Sequence, residues 1–205
     1  LVVIAAALVA ITVITNAYSF NLMLRNFRQS LSSTALIYTE QISGKVDKIN
    51  SGSLELVSLA ASSQNYYTSS PLGRYLTQQD ILTRLQDRIR YVESSDLYFF
   101  YRTDSDELLT ALSNRASTGS SYFWNQYLML PPTQPANTWF SVTCNGETWL
   151  MCYYNVSQVR VGAAVRAKTL LQSLYADTGL VQDSGFALAG LDGTIVYSSQ
   201  PDLMA

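Results

Sequence analysis

The stretch "LVVIAAALVAITVITNAYSFNLML", residues 1–24, carries no charged side chain, and no other feature restricts the fold of this chain as much. An α-helix rises about 1.5 Å per residue, so a run of this length can cross a hydrocarbon core about 30 Å thick. A transmembrane helix is expected over residues 1–24. The competing reading is a cleaved signal peptide, whose apolar core typically spans about 7 to 15 residues; here the longer run passes directly into further helical sequence. The chain opens on Leu1 rather than methionine, so a preceding cytoplasmic end is expected. Arg25 and Arg28 weakly oppose an outward placement of the following segment, and the charge of the preceding flank would decide orientation.

Beyond the span, apolar residues recur at Phe27, Leu31, Tyr38, Ile42, Val46 and Ile49. Spacings of three, four and seven put them on one helical face. A long amphipathic stalk helix is expected over residues 25–68. Its stripe packs on the following domain, or on a partner stalk in a homodimer. Ser51-Gly52-Ser53 marks a candidate break before "LELVSLAASSQNYY".

Composition removes several function classes. The chain has 205 residues with 48% hydrophobic content, enough for one good core or two small ones. Net charge is -2, without a basic run or a glycine-rich phosphate loop, so no nucleic-acid partner is expected. Histidine is absent, which removes the commonest general base and any triad built on imidazole. No catalytic residue, and no enzyme within this stretch, is expected. The two cysteines, Cys144 and Cys152, flank Asn145-Gly146, a hairpin turn signal. That turn leaves Cys152 well up the opposite strand, so packing as small hydrophobes is favoured over a disulfide.

"SSPLG", residues 69–73, reads as turn chemistry closing the stalk. In "TQQDILTRLQDRIRYVE", Thr77 and Asp80 stand at capping-box spacing, and Ile81, Leu82, Leu85, Ile89 and Val92 share a face, so a second helix is expected. "DLYFFYR", residues 96–102, suits a strand: Leu97, Phe99 and Tyr101 point one way, Tyr98, Phe100 and Arg102 the other. Both faces are bulky, so the strand belongs to a sheet covered on both sides. Asp104, Asp106 and Glu107 follow as "TDSDE". They could form a metal-binding D-x-D, but calcium usually takes about 6 to 8 oxygens and the loop is short. A polar turn into "LLTA" is the favoured reading, with no metal and no cofactor.

Between Arg115 and Arg160 the only charged residue is Glu147, yet the segment holds all three tryptophans and many further rings. "PPTQPANTWFSV", "TCNGETWLMCYY" and "SQVRVGAAVRA" read as a proline-rich loop into a strand, a hairpin, and another strand. The rings are first of all sheet core. Grouped with Asn125, Gln126, Thr138 and Arg160, they also fit a concave pocket with apolar walls and a few orienting polar groups. Candidate ligand-binding residues are Tyr98, Phe100, Arg102, Trp124, Tyr127, Trp139 and Tyr153, with the Tyr98-Phe100-Arg102 face expected to border the pocket. "AKTLLQSLYADTG" reads as a helix ended by Gly179, and "GFALAGLDGTIVYSS" as two strands around Asp192-Gly193.

This order of elements, with "VGAAVRAKTLLQSL" leading into "GFALAGLDGTIVYSS", resembles the extracytoplasmic double-Cache sensors of membrane-bound bacterial histidine kinases. The resemblance implies an α+β fold: a transmembrane helix (1–24), a stalk helix (25–68), a first PAS-like antiparallel sheet module flanked by helices (69–168), and a linking helix with an incomplete second module (169–205). A single module completed by residues 185–198 is the alternative. It implies a signal input at the cell membrane, with the module extracytoplasmic, a small-molecule ligand or envelope protein as partner, and the kinase outside this stretch. The same input could serve an AraC-like regulator, a chemoreceptor or a cyclic-dinucleotide enzyme. A membrane-anchored adhesin, with its rings in a flat exposed cluster, is the contrasting class. Amino-acid-binding members use an arginine followed by tryptophan and tyrosine, with an aspartate farther on. Here "YFWNQY" supplies Trp124 and Tyr127 without that arginine, and no acid stands in the strands to hold an amine.

Overall fold

The computed structural model describes residues 2–63, 70–92, 94–116, 118–176, 187–189 and 195–198; the side chains of 2–10, 62–63, 118–119 and 172–176 fall outside that description. The chain divides into two compact units, Leu1–Ser43 and Gly44–Ala205.

Helix α1 (Val2–Ser63) is continuous, so the break expected at Ser51-Gly52-Ser53 does not occur. The glycine serves close approach instead. A Cβ on Gly52 would stand 2.5 Å from Tyr98 Oη, and Tyr98 donates that hydroxyl to the Ile49 carbonyl at 3.3 Å. Within the second unit Ile49, Ser53, Leu56 and Ala60 are buried at helical spacing, which makes this part of α1 a wall of the sheet domain. Each such buried Ile or Leu contributes about 1.5–3 kcal/mol. In the first unit Phe27 and Leu31 of the expected stripe are exposed. Among the described residues no helix is long and apolar enough to cross a membrane. The most apolar part of the uncharged run, residues 1–10, has its side chains outside that set.

Helix α2 (Pro71–Tyr91) starts earlier than Thr77. Ser70 is its N-cap, accepting from the Gly73 amide at 3.1 Å, and Pro71 takes the first turn. "SSPLG" therefore opens a helix. Proline at that position lacks only a donor that would have no intrahelical partner anyway. Thr77 lies inside the helix, its hydroxyl bonded back to the Gly73 carbonyl at 2.9 Å. Ile81 and Leu85 are fully buried, on the face expected.

Five strands form one antiparallel sheet: β1 (Leu97–Arg102), β2 (Glu107–Leu112), β3 (Phe140–Cys144), β4 (Glu147–Val156) and β5 (Val159–Arg166). Their order is β2-β1-β5-β4-β3, so β1 is paired along its whole length by β2 and by β5. The single sheet expected between residues 96 and 165 is present. "TDSD" is the β1–β2 turn, with Asp106 at φ 54°. Asn145 and Gly146 both have positive φ, 52° and 77°, as a tight two-residue hairpin requires.

Alternation then assigns the faces. Leu97, Phe99 and Tyr101 join Trp149, Met151, Tyr153, Ala164 and Cys144 in one core, beneath α3 (Thr118–Met129). Tyr98 faces the other way, against α1. Helix α3 was not foreshadowed by a strong signal; Ser120, Trp124 and Leu128 at i, i+4 and i+8 are its buried line. Gly162, in the centre of β5, is where the sheet is tightest: a Cβ there would meet the Cys152 carbonyl at 2.4 Å and the Phe99 ring at 2.8 Å.

Asp96, fully buried just before β1, ties the strand ends together. Its carboxylate accepts from the Arg166 amide at 3.0 Å, from the Arg166 guanidinium at 3.0 and 3.3 Å, and from Ser113 Oγ at 2.9 Å. Helix α4 (Ala167–Ala176) follows β5 directly, and Lys45 Nζ donates to its Leu170 carbonyl at 3.1 Å. Two further strands, β6 (Ala187–Ala189) and β7 (Ile195–Ser198), pair antiparallel. Gly179 and Asp192-Gly193 lie outside the described residues.

Gly162→Ala should lower stability by about 2–4 kcal/mol, because backbone and a buried ring must move to admit the methyl. Gly44→Ala, with open space around its Cβ, should leave stability unchanged or raise it by up to about 1 kcal/mol. Urea denaturation of both variants checks the contrast. Cys144 and Cys152 are free, buried and on opposite faces of the sheet, and burial pushes both thiols up. A thiol reagent should therefore label neither in the native protein and both after unfolding.

Candidate functional site

The core face of the sheet is unusually aromatic. Trp124 meets Trp149 edge-on with ring centroids 5.2 Å apart, and Tyr127 lies edge-on to Trp124 at 5.7 Å. Phe123 stacks on Tyr127 at 5.5 Å. These rings follow from α3 placing residues 123, 124, 127 and 128 over the sheet, one turn apart.

Beside them the segment after α3, residues 130–138, lies over the sheet and encloses a pocket of about 130 Å³. Its apolar lining comes from Leu130, Pro131, Pro132, Phe140 and Met151. Tyr127, Thr133, Gln134 and Arg160 add polar groups. The segment is tied down at several points: Tyr153 donates its hydroxyl to the Gln134 carbonyl, and the Asn137 amide donates to the Tyr153 carbonyl at 2.9 Å. Thr138 Oγ1 closes a local turn on the Pro135 carbonyl at 2.7 Å.

Among the described residues Arg160 is the only charged group lining this pocket. It sits on β5 opposite Tyr101, on the core face, and only 8% of it is exposed. One amino group, Nη1, donates to the carbonyls of Leu128 and Leu130, both at 3.0 Å, at the end of α3. These carbonyls form the negative end of the helix and so offset part of the charge. The guanidinium lies over the rings of Tyr101 and Tyr153, 5.4 and 5.7 Å from their centroids. Among the described residues it makes no ion pair with an acid. Burial pulls its pKa below the ordinary guanidinium value, opposed by Tyr153 and Tyr101, but an arginine stays protonated at neutral pH.

The structure separates the residues expected to form one site. Tyr127 lines the pocket, Tyr153 holds its covering segment, and Trp124 supports Tyr127 from the core. Trp139 is half-buried just before β3. Tyr98 and Phe100 are fully buried on the opposite face of the sheet, so the face expected to border the pocket packs on helices instead. The reason is strand alternation: the rings over the pocket share a face with residues 97, 99 and 101. Arg102 is at the strand end, its Nε donating to Asp104 at 2.8 Å. Of the four orienting polar residues expected, only Arg160 joins the pocket; Asn125 and Gln126 are exposed on α3.

The acids of the β1–β2 turn have protein partners. Arg102 holds Asp104 below the usual carboxylate range, Tyr101 donates to Asp106 at 2.6 Å, and Gln78 donates to Glu107. Among the described residues no cluster of metal-ligating side chains occurs. A larger cleft of about 580 Å³ lies between α2 and β2, with Arg90 and Arg115 at its edge. It is open to solvent, and Arg90 is itself largely solvated beside Asp87.

Burial pushes the Tyr98 phenol up to about 12 from its usual 10. A folded-state pKa above the unfolded value means that the unfolded chain loses its proton first, so stability falls as pH rises from about 10 to 12. The loss should reach about 2–3 kcal/mol. Tyr98→Phe should cost about 1 kcal/mol at neutral pH, from the lost bond to Ile49, and remove most of that alkaline decline in denaturant titrations. No protein-family model, no curated protein and no solved structure matches this chain.

Proposed function

We propose that this chain is the signal-sensing input of a membrane-bound receptor, in which residues 69–168 form a PAS-like sensor module. The observation that carries the reading is the double role of β1. Phe99 and Tyr101 lie in the core beneath α3, with Tyr101 beside Arg160, while Tyr98, on the same strand, is seated on Gly52 of the long helix. A ligand that reset the pocket side would alter how β1 meets that helix, and a packed interface answers such a shift as a discrete rearrangement. The antiparallel sheet flanked by helices agrees with the resemblance to double-Cache sensors. Trp124 is fully buried and Trp139 half-buried, which weighs against an adhesin, since that would present its rings as a flat exposed cluster.

On this reading residues 1–24 anchor the protein in the cell membrane, the module is extracytoplasmic, and paired stalk helices make a homodimer. The exposed apolar residues Leu36 and Ile37 supply part of the surface for that pairing. The output is a two-component histidine kinase whose catalytic part lies outside this stretch.

Alkaline phosphatase, which is active only outside the cytoplasm, tests the arrangement when fused after Ala205. The fusion should be active and should remain in the membrane fraction through an alkaline carbonate wash. Deleting residues 1–24 should abolish both properties. An inactive fusion, or one released by the wash, would overturn the reading.

A further inference from the structure

The five-stranded sheet ends at β2, and among the described residues no strand pairs with its outer edge. Bonds just beyond the strand ends fix which backbone groups stand on that edge. The Ser113 amide donates to the Asp96 carbonyl at 2.9 Å, and the Thr103 amide donates to the Gln158 carbonyl at 2.9 Å. Carried along the antiparallel register, these bonds aim the backbone polar groups of Tyr98, Phe100 and Arg102 at β2, opposite Ala111, Leu109 and Glu107. Leu109 and Ala111 therefore spend their N–H and C=O groups on β1, while those of Leu108, Thr110 and Leu112 point away from the sheet.

Sheet edges are commonly blunted by lysine, proline or a bulge. The β2 sequence ELLTAL has neither lysine nor proline, and its pairing with β1 runs without a register shift. The cleft of about 580 Å³ lies beside this edge, with Thr110 and Leu112 on the strand side and Gln86 and Ile89 on the helix side. Among the described residues its charged lining is Arg90 and Arg115, without an acid. Arg90 meets Asp87 only at 3.7 Å, with 75% of its side chain exposed. The backbone of Arg115 is fixed in place, its carbonyl accepting from Arg166 Nη1 at 3.0 Å.

We infer that this edge takes an extended acidic segment of a partner protein, which adds to β2 as a sixth strand. The segment exchanges backbone bonds with Thr110 and Leu112 and turns a carboxylate side chain toward Arg90 and Arg115. In such strand addition main-chain bonds supply affinity, and side chains beside the edge supply selectivity. At about 3.4 Å per residue the strand spans about 20 Å, enough to pair a short peptide segment. Glu107, the one acid on β2, already accepts from Gln78, so a second copy of this chain is the poorer match for the two arginines. The inference stands apart from the sensor reading, which would add only that the partner is an envelope protein.

The test uses the full 205-residue chain in detergent micelles, with amide exchange followed by NMR. In the free protein the Thr110 and Leu112 amides should exchange quickly while those of Leu109 and Ala111 are protected. Short random peptides displayed on phage are then selected against the protein. Binders should be enriched in aspartate or glutamate beside alternating β-branched residues, and the best of them, once synthesised, should slow exchange at Thr110 and Leu112. Thr110→Pro removes one outward donor at an edge position where proline is tolerated, and should weaken that peptide about tenfold. Arg90→Glu and Arg115→Glu should each weaken it about two- to fivefold, and added salt should weaken its binding to the unaltered chain. The arginine variants keep the test decisive if Thr110→Pro unfolds. The inference fails if the free chain already protects Thr110 and Leu112, or if that protection rises with protein concentration, which would assign the edge to a second copy. It fails equally if no peptide binds, if the selected peptides are basic or neutral, if binding leaves both amides unchanged, or if it survives both arginine variants. A covered edge would leave the sensor reading standing, whereas an inactive phosphatase fusion alongside peptide binding would remove that reading and keep the edge site.

Discussion

The rest of the structure depends on β1, a six-residue strand buried on both faces and hydrogen-bonded on both edges. A strand in that position has no solvent side on which to discharge a misfit, so each neighbour must match it closely. Two glycines supply the match. Gly52 lets the α1 backbone approach the Tyr98 hydroxyl, and Gly162 leaves room on β5 for the Phe99 ring. The large aromatics of β1 and the two positions without a side chain are halves of the same packing.

That arrangement also organises the polar chemistry. Two arginines stand near the ends of β5, Arg160 buried and Arg166 half-buried, and the protein treats them in opposite ways. Arg166 is met by Asp96, a fully buried carboxylate that also accepts from Ser113, and the resulting knot closes one end of the sheet. Among the described residues Arg160 meets only carbonyls and ring faces. Removing a charge from water without a counter-charge is costly, and structural ion pairs avoid that cost by full pairing. The sheet thus accommodates one guanidinium with a carboxylate and the other with carbonyls and ring faces.

Much of this was legible in the residues. The alternation of "DLYFFYR" identified a strand with two packed faces, Asn145-Gly146 identified a hairpin, and "TDSD" a turn, because each is local chemistry that the backbone reads directly. The start of α2 was also written locally, in Ser70 and Pro71, but Thr77 and Asp80 offered a rival signal of equal local merit. Helix α3 was harder: "YFWNQYLM" has rings at both helical and strand spacings, and only the sheet beneath it selects the helical set. Among the candidate site residues, Tyr127 and Tyr153 came together, while Tyr98 and Phe100 went to the far face.

The sequence by itself determined the elements: a long helix, a capped helix, a set of antiparallel strands, and a nearly uncharged aromatic segment with one arginine at its end. It also determined, by lacking histidine, that no chemistry resting on an imidazole is available within these 205 residues. Only the tertiary structure decided which face of β1 meets the long helix, and therefore which rings could reach a pocket. Alternation states that neighbouring residues point apart, but not toward what; that choice is made by the glycines, helices and loops arriving from distant parts of the chain. The same holds for Arg160. Its identity was visible in the sequence, but its burial against carbonyls and ring faces is a relation among β5, α3 and the segment after it that exists only in the folded protein.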